Sequence, residues 1–182
     1  MSVQRKDFLR MSAGVSVLFG LSGFRSANKK SPLDRLEPMT GDVVPITTAE
    51  RLTRIEKAKK LMAEQKMEAI ILDCGTSLKY FTGISWWPSE RTMVAIIPAR
   101  GEVTYVSPAF EAERLRQLIS IGKDVQTWEE HESPYAQIVS ALKGLGIEGG
   151  NIGIEERLRF FIFDGIRKAG PSYNLISADP VT

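Results

Sequence analysis

The sequence has 182 residues, of which 43% are hydrophobic and 25% charged, which is typical of one globular domain and argues against a collagen, a long coiled coil or a fully disordered chain. Residues 1–47 contain 7 basic and 4 acidic side chains and residues 48–182 contain 17 basic and 18 acidic ones, so the positive net charge of +2 comes from the first 47 residues. The remaining residues have no excess of basic side chains that would favour nucleic-acid binding. One cysteine, Cys74, and one histidine, His131, exclude an intramolecular disulfide, a multi-cysteine metal cluster and any site needing two imidazoles.

The beginning of the sequence has the pattern of an export signal. Basic residues up to Arg10 precede a weakly apolar run from Met11 to Phe24, and polar residues follow. The order of basic residues and Phe8-Leu9 resembles a twin-arginine signal, with Lys6 in the place of the second arginine. Fourteen helical residues would reach about 21 Å, short of the ~30 Å hydrocarbon core, so no stable membrane span is expected.

We therefore predict that residues 1–27 form a leader that directs export to the periplasm or another extracytoplasmic space. A short hydrophobic anchor and a cytoplasmic protein with an unprocessed leader are the alternatives. Residues 28–47 contain three prolines and Gly41 with little periodicity, and they are predicted to form a linker.

From Thr48 onward, helical and strand patterns alternate. Thr47 is a good helix cap, and apolar residues then recur every three or four positions. The predicted helices are 48–66, 110–119, 134–142 and 158–168, and the predicted strands are 69–72, 92–97, 103–106, 125–128, 151–154 and 173–176. Because residues 92–106 form a hairpin, the prediction is a layered α/β/α domain with a mixed sheet of about five or six strands.

Several patterns that could indicate chemistry have simpler structural explanations. Gly144–Gly149 matches the dinucleotide fingerprint, but these glycines end a helix instead of opening one, which favours a helix cap and a tight turn. Glu129–Glu132 is interpreted as a solvated acidic turn, and Glu155-Glu156 as an entry into a helix. Cys74 follows a buried strand and is interpreted as a core residue. We predict no catalytic residue and no metal ligand in this chain.

The segment from Tyr80 to Arg91 is the best candidate for a binding site. It contains Trp86 and Trp87 in a loop between two strands. Indole faces beside a guanidinium could hold an apolar ring and pair with a carboxylate. The alternative is that the tryptophans are anchors of the core or of a dimer interface and that Arg91 is a surface charge.

Eight segments between residues 48 and 182 resemble, in the same order along the chain, the amino-terminal domain of the creatinase/prolidase family. These are the pita-bread metallopeptidases that include Xaa-Pro aminopeptidases and dipeptidases. The segments with this resemblance are Glu50–Leu52, Lys59–Met62, Glu68–Leu72, Leu78–Gly83, Phe110–Arg114, Val125–Glu129, Ile152–Leu158 and Ala178–Val181.

The resemblance implies an α/β amino-terminal domain whose chemistry lies in a separate catalytic domain. There, two Asp, one His and two Glu bind two divalent metal ions, with Mn, Co or Zn expected. This sequence ends where that domain would begin, and His131 matches no ligand motif, so we expect no cofactor in this chain. The implied partners are its own catalytic domain, a second subunit and a peptide substrate.

The resemblance also implies that the amino-terminal domain supports oligomerisation and substrate access to the pita-bread active site. In creatinase itself an aromatic residue and an arginine of the corresponding loop contact the substrate. Trp86, Trp87 and Arg91, with Tyr80, are therefore the predicted substrate-binding residues. The expected function is that of the non-catalytic amino-terminal domain of an Xaa-Pro peptidase. A stand-alone peptide- or protein-binding module and a creatinase-type amidinohydrolase are the alternatives.

Overall fold

The computed structural model describes Ser31, Leu33 and residues 36–182. The predicted export leader, residues 1–27, lies outside the described residues. By its contacts the chain divides into two compact units, Met1–Val44 and Pro45–Thr182. In the first unit the described residues 36–44 are exposed. No helix in the described part of the chain is long and apolar enough to cross a membrane.

The second unit contains five α-helices and six strands. The helices are α1 (Thr48–Glu64), α2 (Thr76–Thr82), α3 (Ala112–Leu118), α4 (Pro134–Gly144) and α5 (Phe160–Ala169), and a 3₁₀ turn, Ala109–Glu111, precedes α3. The strands are β1 (Met67–Asp73), β2 (Val94–Pro98), β3 (Thr104–Pro108), β4 (Asp124–Trp128), β5 (Gly150–Ile154) and β6 (Tyr173–Ser177).

The strands form one mixed sheet in the order β4-β3-β2-β1-β5-β6. Strand β2 is antiparallel to both of its neighbours, with Ile70 opposite Ile97 and Val94 opposite Val106. The other three pairs are parallel. The carboxyl ends of the neighbouring strands β1 and β5 therefore lie side by side at the same end of the sheet.

Helices cover both faces of this sheet. Ile70 and Leu72 of β1 point into a cluster with side chains from α1, α2 and α3, while Ala69 and Ile71 point into a cluster with side chains from α4 and α5. This alternation follows from the two-residue period of a strand. A strand buried on both faces is a continuous aliphatic run, which is why the sequence of β1 has so few polar residues.

The predicted α/β/α layers and mixed sheet of about five or six strands are confirmed, and the sheet has six strands. Thr47 caps α1 by accepting a hydrogen bond from the Glu50 amide, and Ser133 does the same for α4 at Ala136. Helix α2 was not predicted. It has seven residues, no side chain caps its first turn, and it ends at Gly83 with a φ of +82°. Tyr80 thus belongs to a helix and not to the loop that follows.

Candidate functional site

A cleft of about 640 Å³ opens at the carboxyl ends of β1 and β5. Three segments line it: the end of β1 with the start of α2, the loop between α2 and β2, and the connection from β5 to α5. The lining residues are Asp73, Cys74, Gly75, Thr76, Lys79, Ser85, Trp86, Trp87, Pro88, Glu155, Arg157 and Arg159.

The connections of the sheet explain the position of this cleft. The chain leaves β1 into α2, which packs on one face, and leaves β5 into α5, which packs on the other face. Two adjacent parallel strands whose following helices go to opposite faces leave a crevice at their carboxyl ends, and ligands of α/β proteins bind there. The cleft is therefore where the topology itself predicts a binding site.

An ion pair between a buried carboxylate and a partly buried guanidinium forms the floor of the cleft. Nε and Nη2 of Arg159 donate to Oδ2 and Oδ1 of Asp73 at 2.8 and 3.1 Å. Only 2% of the Asp73 side chain is exposed. The third guanidinium nitrogen, Nη1, donates to the carbonyl oxygen of Ser89. Arg159 thus connects the end of β1, the start of α5 and the loop that contains the tryptophans.

Glu155 lies beside this pair at the end of β5. Its Oε2 accepts a hydrogen bond from the amide of Asp73 at 3.0 Å. Burial raises the pKa of Glu155 above its ordinary value, and hydrogen bonds from Ser77 and from the Asp73 amide oppose that rise. Its neighbour Glu156 is exposed. The two adjacent glutamates therefore occupy different environments, and they do not face each other as an acid and base pair would.

Cys74 is held as a structural residue. Its amide donates to Oδ1 of Asp73 at 2.7 Å, and its Sγ donates to the carbonyl of Met93 at 3.4 Å. Burial, with the negative charge of Asp73, raises the pKa of the thiol to about 12. Only the thiolate is an effective nucleophile, so this environment supports the predicted role of a core residue.

The two predicted tryptophans line the same cleft but differ in exposure. Trp86 is 8% exposed, and the guanidinium of Arg114 lies 4.9 Å from the centre of its ring. Trp87 is 87% exposed. One indole therefore anchors the loop, and the other presents its faces at the mouth of the cleft.

Lys79 on α2 and Arg157 after β5 supply the exposed positive charges of the cleft. Neither side chain forms an ion pair with any residue that the structure describes. The charge of the third lining cation, Arg159, is matched by Asp73. Lys79 thus remains available to an anionic ligand, whereas the charge of Arg157 also acts on the carboxylate of Glu155.

Arg91 and Tyr80 lie outside the cleft lining. Nε and Nη2 of Arg91 donate to the two carboxylate oxygens of Glu130 at 2.7 and 3.3 Å, and Nη1 donates to Glu90. Tyr80 stacks under Arg54 at 4.2 Å and lines a separate groove of about 500 Å³ between α1, α2 and the last residues. The structure thus brings Trp86 and Trp87 together and places the other two predicted residues elsewhere.

Residues that the sequence analysis did not select form most of the cleft. Asp73 and Lys79 lie in one part of the sequence and Arg157 and Arg159 in another, and the sequence analysis selected none of the four as a site residue. The sequence positions of these residues contain some information about the site. Asp73 is the last residue of β1, and the Glu155–Arg159 segment directly follows β5, which is parallel to β1. Strands that are neighbours place their following residues together, but the pairing of β1 with β5 was not predicted.

Two other sequence patterns considered above, the glycines of 144–149 and the acidic residues 129–132, lie in turns. Gly144 ends α4 and Gly146 has a φ of +78°, as expected of a helix cap and tight turn before β5. His131 is exposed within the acidic turn 129–132. Among the described residues, no group of three or more His, Cys, Asp and Glu side chains could hold a metal ion. The residues present do not fit the two-metal centre that the resemblance implies for the catalytic domain.

The fold and the cleft define a layered α/β domain of a known class. The family model described as the creatinase/prolidase N-terminal domain matches residues 54–182. The chain therefore belongs to the creatinase/prolidase family and contains its amino-terminal domain. An uncharacterized peptidase of Schizosaccharomyces pombe is 30% identical over 147 residues, which cover 73% of this chain and 32% of the relative.

Solved structures have the same fold. The prolidase of Thermococcus sibiricus matches with a TM-score of 0.62 and 22% identity, over 72% of this chain and 35% of that structure. The creatinase/prolidase N-terminal domain of an X-Pro dipeptidase from Streptococcus pyogenes matches with a TM-score of 0.57 and 20% identity, over 68% of this chain and 93% of that domain. The chain thus spans about a third of the length of the fungal relative and of the Thermococcus prolidase.

Proposed function

We propose that this domain serves a metal-dependent Xaa-Pro peptidase by shaping substrate access to the active site of a catalytic domain and by supporting the association of two subunits. Family membership supports the peptidase assignment. The two divalent metal ions would be bound by the catalytic domain. We further propose that residues 1–27 direct export of the protein.

The main support for a role in substrate access is the loop after α2, which is fixed at several points and exposes one large aromatic side chain. Trp86 is buried, the Ser89 carbonyl accepts a hydrogen bond from Arg159, and Arg91 pairs with Glu130. Trp87 is nevertheless 87% exposed. A rigid loop loses little conformational entropy when it contacts a ligand or another subunit, and tryptophan supplies a large contact area.

Trp87 would then contact the apolar part of a peptide, and Arg91 would face a carboxylate in place of its contact with Glu90, while Glu130 keeps the guanidinium oriented. The guanidinium of Arg91 is held in one orientation by Glu130 and lies over the ring of Phe110 at 5.2 Å. The buried Trp86 anchors the loop, and Tyr80 lies on α2, the helix that precedes it. This arrangement assigns the direct contacts to Trp87 and Arg91 and the positioning role to Trp86.

The test uses the protein encoded by the complete reading frame, assayed for hydrolysis of Xaa-Pro dipeptides with Mn²⁺ or Co²⁺. Trp87→Ala and Arg91→Ala should each raise KM about tenfold and leave kcat within about twofold, since both remove binding that is the same in the ground and transition states. The matched control is Phe160→Ala, which removes an aromatic side chain, 76% exposed, from outside the cleft lining.

Two results would overturn the proposal. The peptidase assignment fails if the complete protein hydrolyses no Xaa-Pro dipeptide with either metal ion. The role of the loop fails if Trp87→Ala and Arg91→Ala have the kinetics of the Phe160→Ala control. Hydrolysis by the 182-residue chain alone would contradict the placement of the chemistry in a catalytic domain.

A further inference from the structure

Two carboxylates are buried side by side at the floor of the cleft, next to a single guanidinium. Asp73 is 2% and Glu155 is 5% exposed, and Oε2 of Glu155 accepts a hydrogen bond from the Asp73 amide at 3.0 Å. All three nitrogens of the Arg159 guanidinium have other acceptors: Nε and Nη2 donate to Asp73, and Nη1 donates to the carbonyl of Ser89. If both carboxylates are ionised, the cluster therefore holds two buried negative charges and one positive charge. Such a pair titrates in two separate steps, and one of its members keeps its proton to a higher pH.

Glu155 is the member of the pair that keeps its proton. The carboxylate of Asp73 accepts two hydrogen bonds from Arg159 and one from the Cys74 amide. Glu155 has only neutral donors, the Asp73 amide and the Ser77 hydroxyl. Burial raises the pKa of Glu155, and the charge of Asp73 adds to that rise. The proton of this cluster is thus bound at Glu155.

The charged and titratable groups around Glu155 come from three elements. They are Asp73 and Cys74 at the end of β1, Ser77 and Lys79 on α2, and Arg157 and Arg159 in the connection from β5 to α5. Burial raises the pKa of the Cys74 thiol to about 12, so this group stays neutral where carboxyl groups titrate. The charge of Arg157 favours the ionised form of Glu155 but does not outweigh burial. The loop residues that line the cleft, 85–88, and Ser177 of β6 beside Glu155 have no charge.

Arg159 connects this cluster to the tryptophan loop, residues 83–93 between α2 and β2. Ser89, whose carbonyl accepts a hydrogen bond from Nη1 of Arg159, follows Trp87 by two positions. A hydrogen bond to an ionised acceptor is about twice as strong as one between neutral groups. A second negative charge at Glu155 therefore attracts the guanidinium toward the floor of the cleft and away from Ser89.

We propose that proton binding at Glu155 controls how firmly Arg159 holds the tryptophan loop. With Glu155 neutral, the guanidinium donates to both Asp73 and the Ser89 carbonyl, and the loop is held. With Glu155 ionised, the guanidinium shifts toward the two carboxylates, and the contact with Ser89 weakens. The ion pair that joins the end of the loop to Glu130 remains, so the loop loosens without detaching. The effect on substrate access rests on the proposed function, whereas the coupling between the cluster and the loop does not.

Quenching by acrylamide measures the accessibility of the loop in the 182-residue chain. Trp87→Phe removes the exposed indole and leaves two buried ones, Trp86 in the loop and Trp128 in β4. In this background we expect the quenching constant to rise about twofold between about pH 4.5 and pH 8, with a midpoint above the ordinary glutamate value of about 4.3. Glu155 loses its proton as the pH rises, so the loop is held most firmly at the acid end of this range.

Substitutions of single groups identify the one that titrates. Glu155→Gln keeps an oxygen for the Asp73 amide but cannot ionise, so quenching should stay at its acid value at every pH. The matched control, Glu156→Gln, removes the exposed neighbouring carboxylate and should keep the transition. His131→Gln should also keep it, which excludes the one histidine of the chain, the residue type that ordinarily titrates near neutral pH.

Three further variants keep Glu155 and change its surroundings. Ser77→Ala and Arg157→Gln each remove a group that favours the ionised form of Glu155, so each should raise the midpoint by about 0.5–1 pH unit. Arg159→Lys tests the connection to the loop. A single ammonium group lacks the fork that reaches both acceptors, so quenching should stay at its high value at every pH. Circular dichroism establishes that each variant is folded.

Five results would overturn this inference. They are constant quenching of Trp87→Phe across the pH range, a transition that persists in Glu155→Gln, a transition that is lost in either control, a midpoint that does not rise in Ser77→Ala and Arg157→Gln, and a normal transition in Arg159→Lys. If Glu155→Gln does not fold, the direction of the two midpoint shifts decides. None of these measurements requires catalysis, so failure of the proposed peptidase function and failure of this coupling are distinguished.

Discussion

Asp73 shows how a charge is kept inside this domain. Its side chain is 2% exposed, yet three donors reach its carboxylate: Nε and Nη2 of Arg159 and the amide of Cys74. A buried carboxylate is tolerated only when its lost hydration is replaced in this way. The same contacts fix the residues around it, so the floor of the cleft is rigid and polar.

The thiol of Cys74 should react very slowly in the folded protein. With a pKa of about 12, raised by burial and by Asp73, only about one molecule in ten thousand has the thiolate at pH 8. Labelling of the folded protein by a disulfide reagent should therefore be slow, and its rate should increase about tenfold per pH unit. Unfolding in urea should expose the thiol and make the labelling fast. Rapid labelling of the folded protein with a midpoint near pH 8.5 would contradict this expectation.

Glu155 should make stability depend on pH. Because burial raises its pKa in the folded state, its contribution to the free energy of unfolding is fully present below the unfolded pKa and is lost as the pH rises through the folded pKa. Glu155→Gln keeps an oxygen that can accept from the Asp73 amide but cannot ionise. The stability of the wild type minus that of this variant should thus decrease as the pH rises above about 4 and through the raised pKa of the folded state.

Urea unfolding across this pH range measures that difference. Glu156→Gln, at the exposed neighbouring carboxylate, is the matched control. A difference between wild type and Glu155→Gln that stays constant or grows with pH would show that burial does not govern the titration of Glu155.

The candidate site could be predicted only where neighbouring residues in the sequence define it. The loop with Trp86 and Trp87 was found because two indoles are adjacent, but the sequence does not say which of them is buried. The partner of Arg91 is 39 residues away, at Glu130, and the partner of Asp73 is 86 residues away, at Arg159. Such contacts depend on which strands and turns become neighbours, and that information is not local.

At the scale of elements, Arg159 acts as the connection between three of them. It lies at the start of α5, pairs with the last residue of β1 and donates to Ser89 in the loop before β2. Its guanidinium also lies 4.9 Å from the ring of Phe161. The position of the tryptophan loop is therefore coupled to the packing of α5 on the sheet.

Removal of Arg159 should destabilise the domain strongly. Arg159→Met leaves Asp73 buried without its partner, which should cost about 3–5 kcal/mol in the free energy of unfolding, measured by chemical denaturation. Arg167→Ala is the matched control on the same helix. It breaks only a surface pair with Asp164 and should cost about 0–1 kcal/mol.

A double variant separates the lost charge pair from lost packing. Asp73→Asn combined with Arg159→Met removes both charges and should recover a large part of the stability lost in Arg159→Met. If Arg159→Met is as stable as the Arg167→Ala control, the ion pair does not hold these elements together.

The elements themselves were predictable where their patterns are strong. The runs in β1 and β2 are aliphatic, as expected of strands that are buried on both faces, and the caps at Thr47 and Ser133 mark the starts of α1 and α4. Helix α2 was missed because it begins after Gly75 without a side-chain cap and is too short for a clear helical period. The order of the strands could not be predicted, since it depends on long-range pairing.

For the whole molecule, the central position of β1 determines how stability is distributed. This strand pairs with β2 on one side and β5 on the other, and all of its residues except Glu68 are buried. Strands β4 and β6 form the two edges of the sheet and are partly exposed. Local opening should therefore begin at the edges.

Hydrogen exchange measures this gradient directly. The amides of β1 should exchange on the order of 100-fold more slowly than those of β4 and β6, because only global unfolding releases the central strand. Residue-resolved exchange followed by NMR provides the test. Exchange of the Ile70 and Ile71 amides as fast as those of β6 would show that the centre of the sheet opens independently of the rest.

The distance along the chain between β1 and β5 has a consequence for biosynthesis. After β1 leaves the ribosome it can pair with β2, which follows about 20 residues later, but its other side has no partner until β5 follows, about 80 residues later. At roughly 5–20 residues per second, the nascent polypeptide keeps this aliphatic strand open on one side for about 4–16 s. During that interval the growing chain is most exposed to aggregation and most in need of a chaperone.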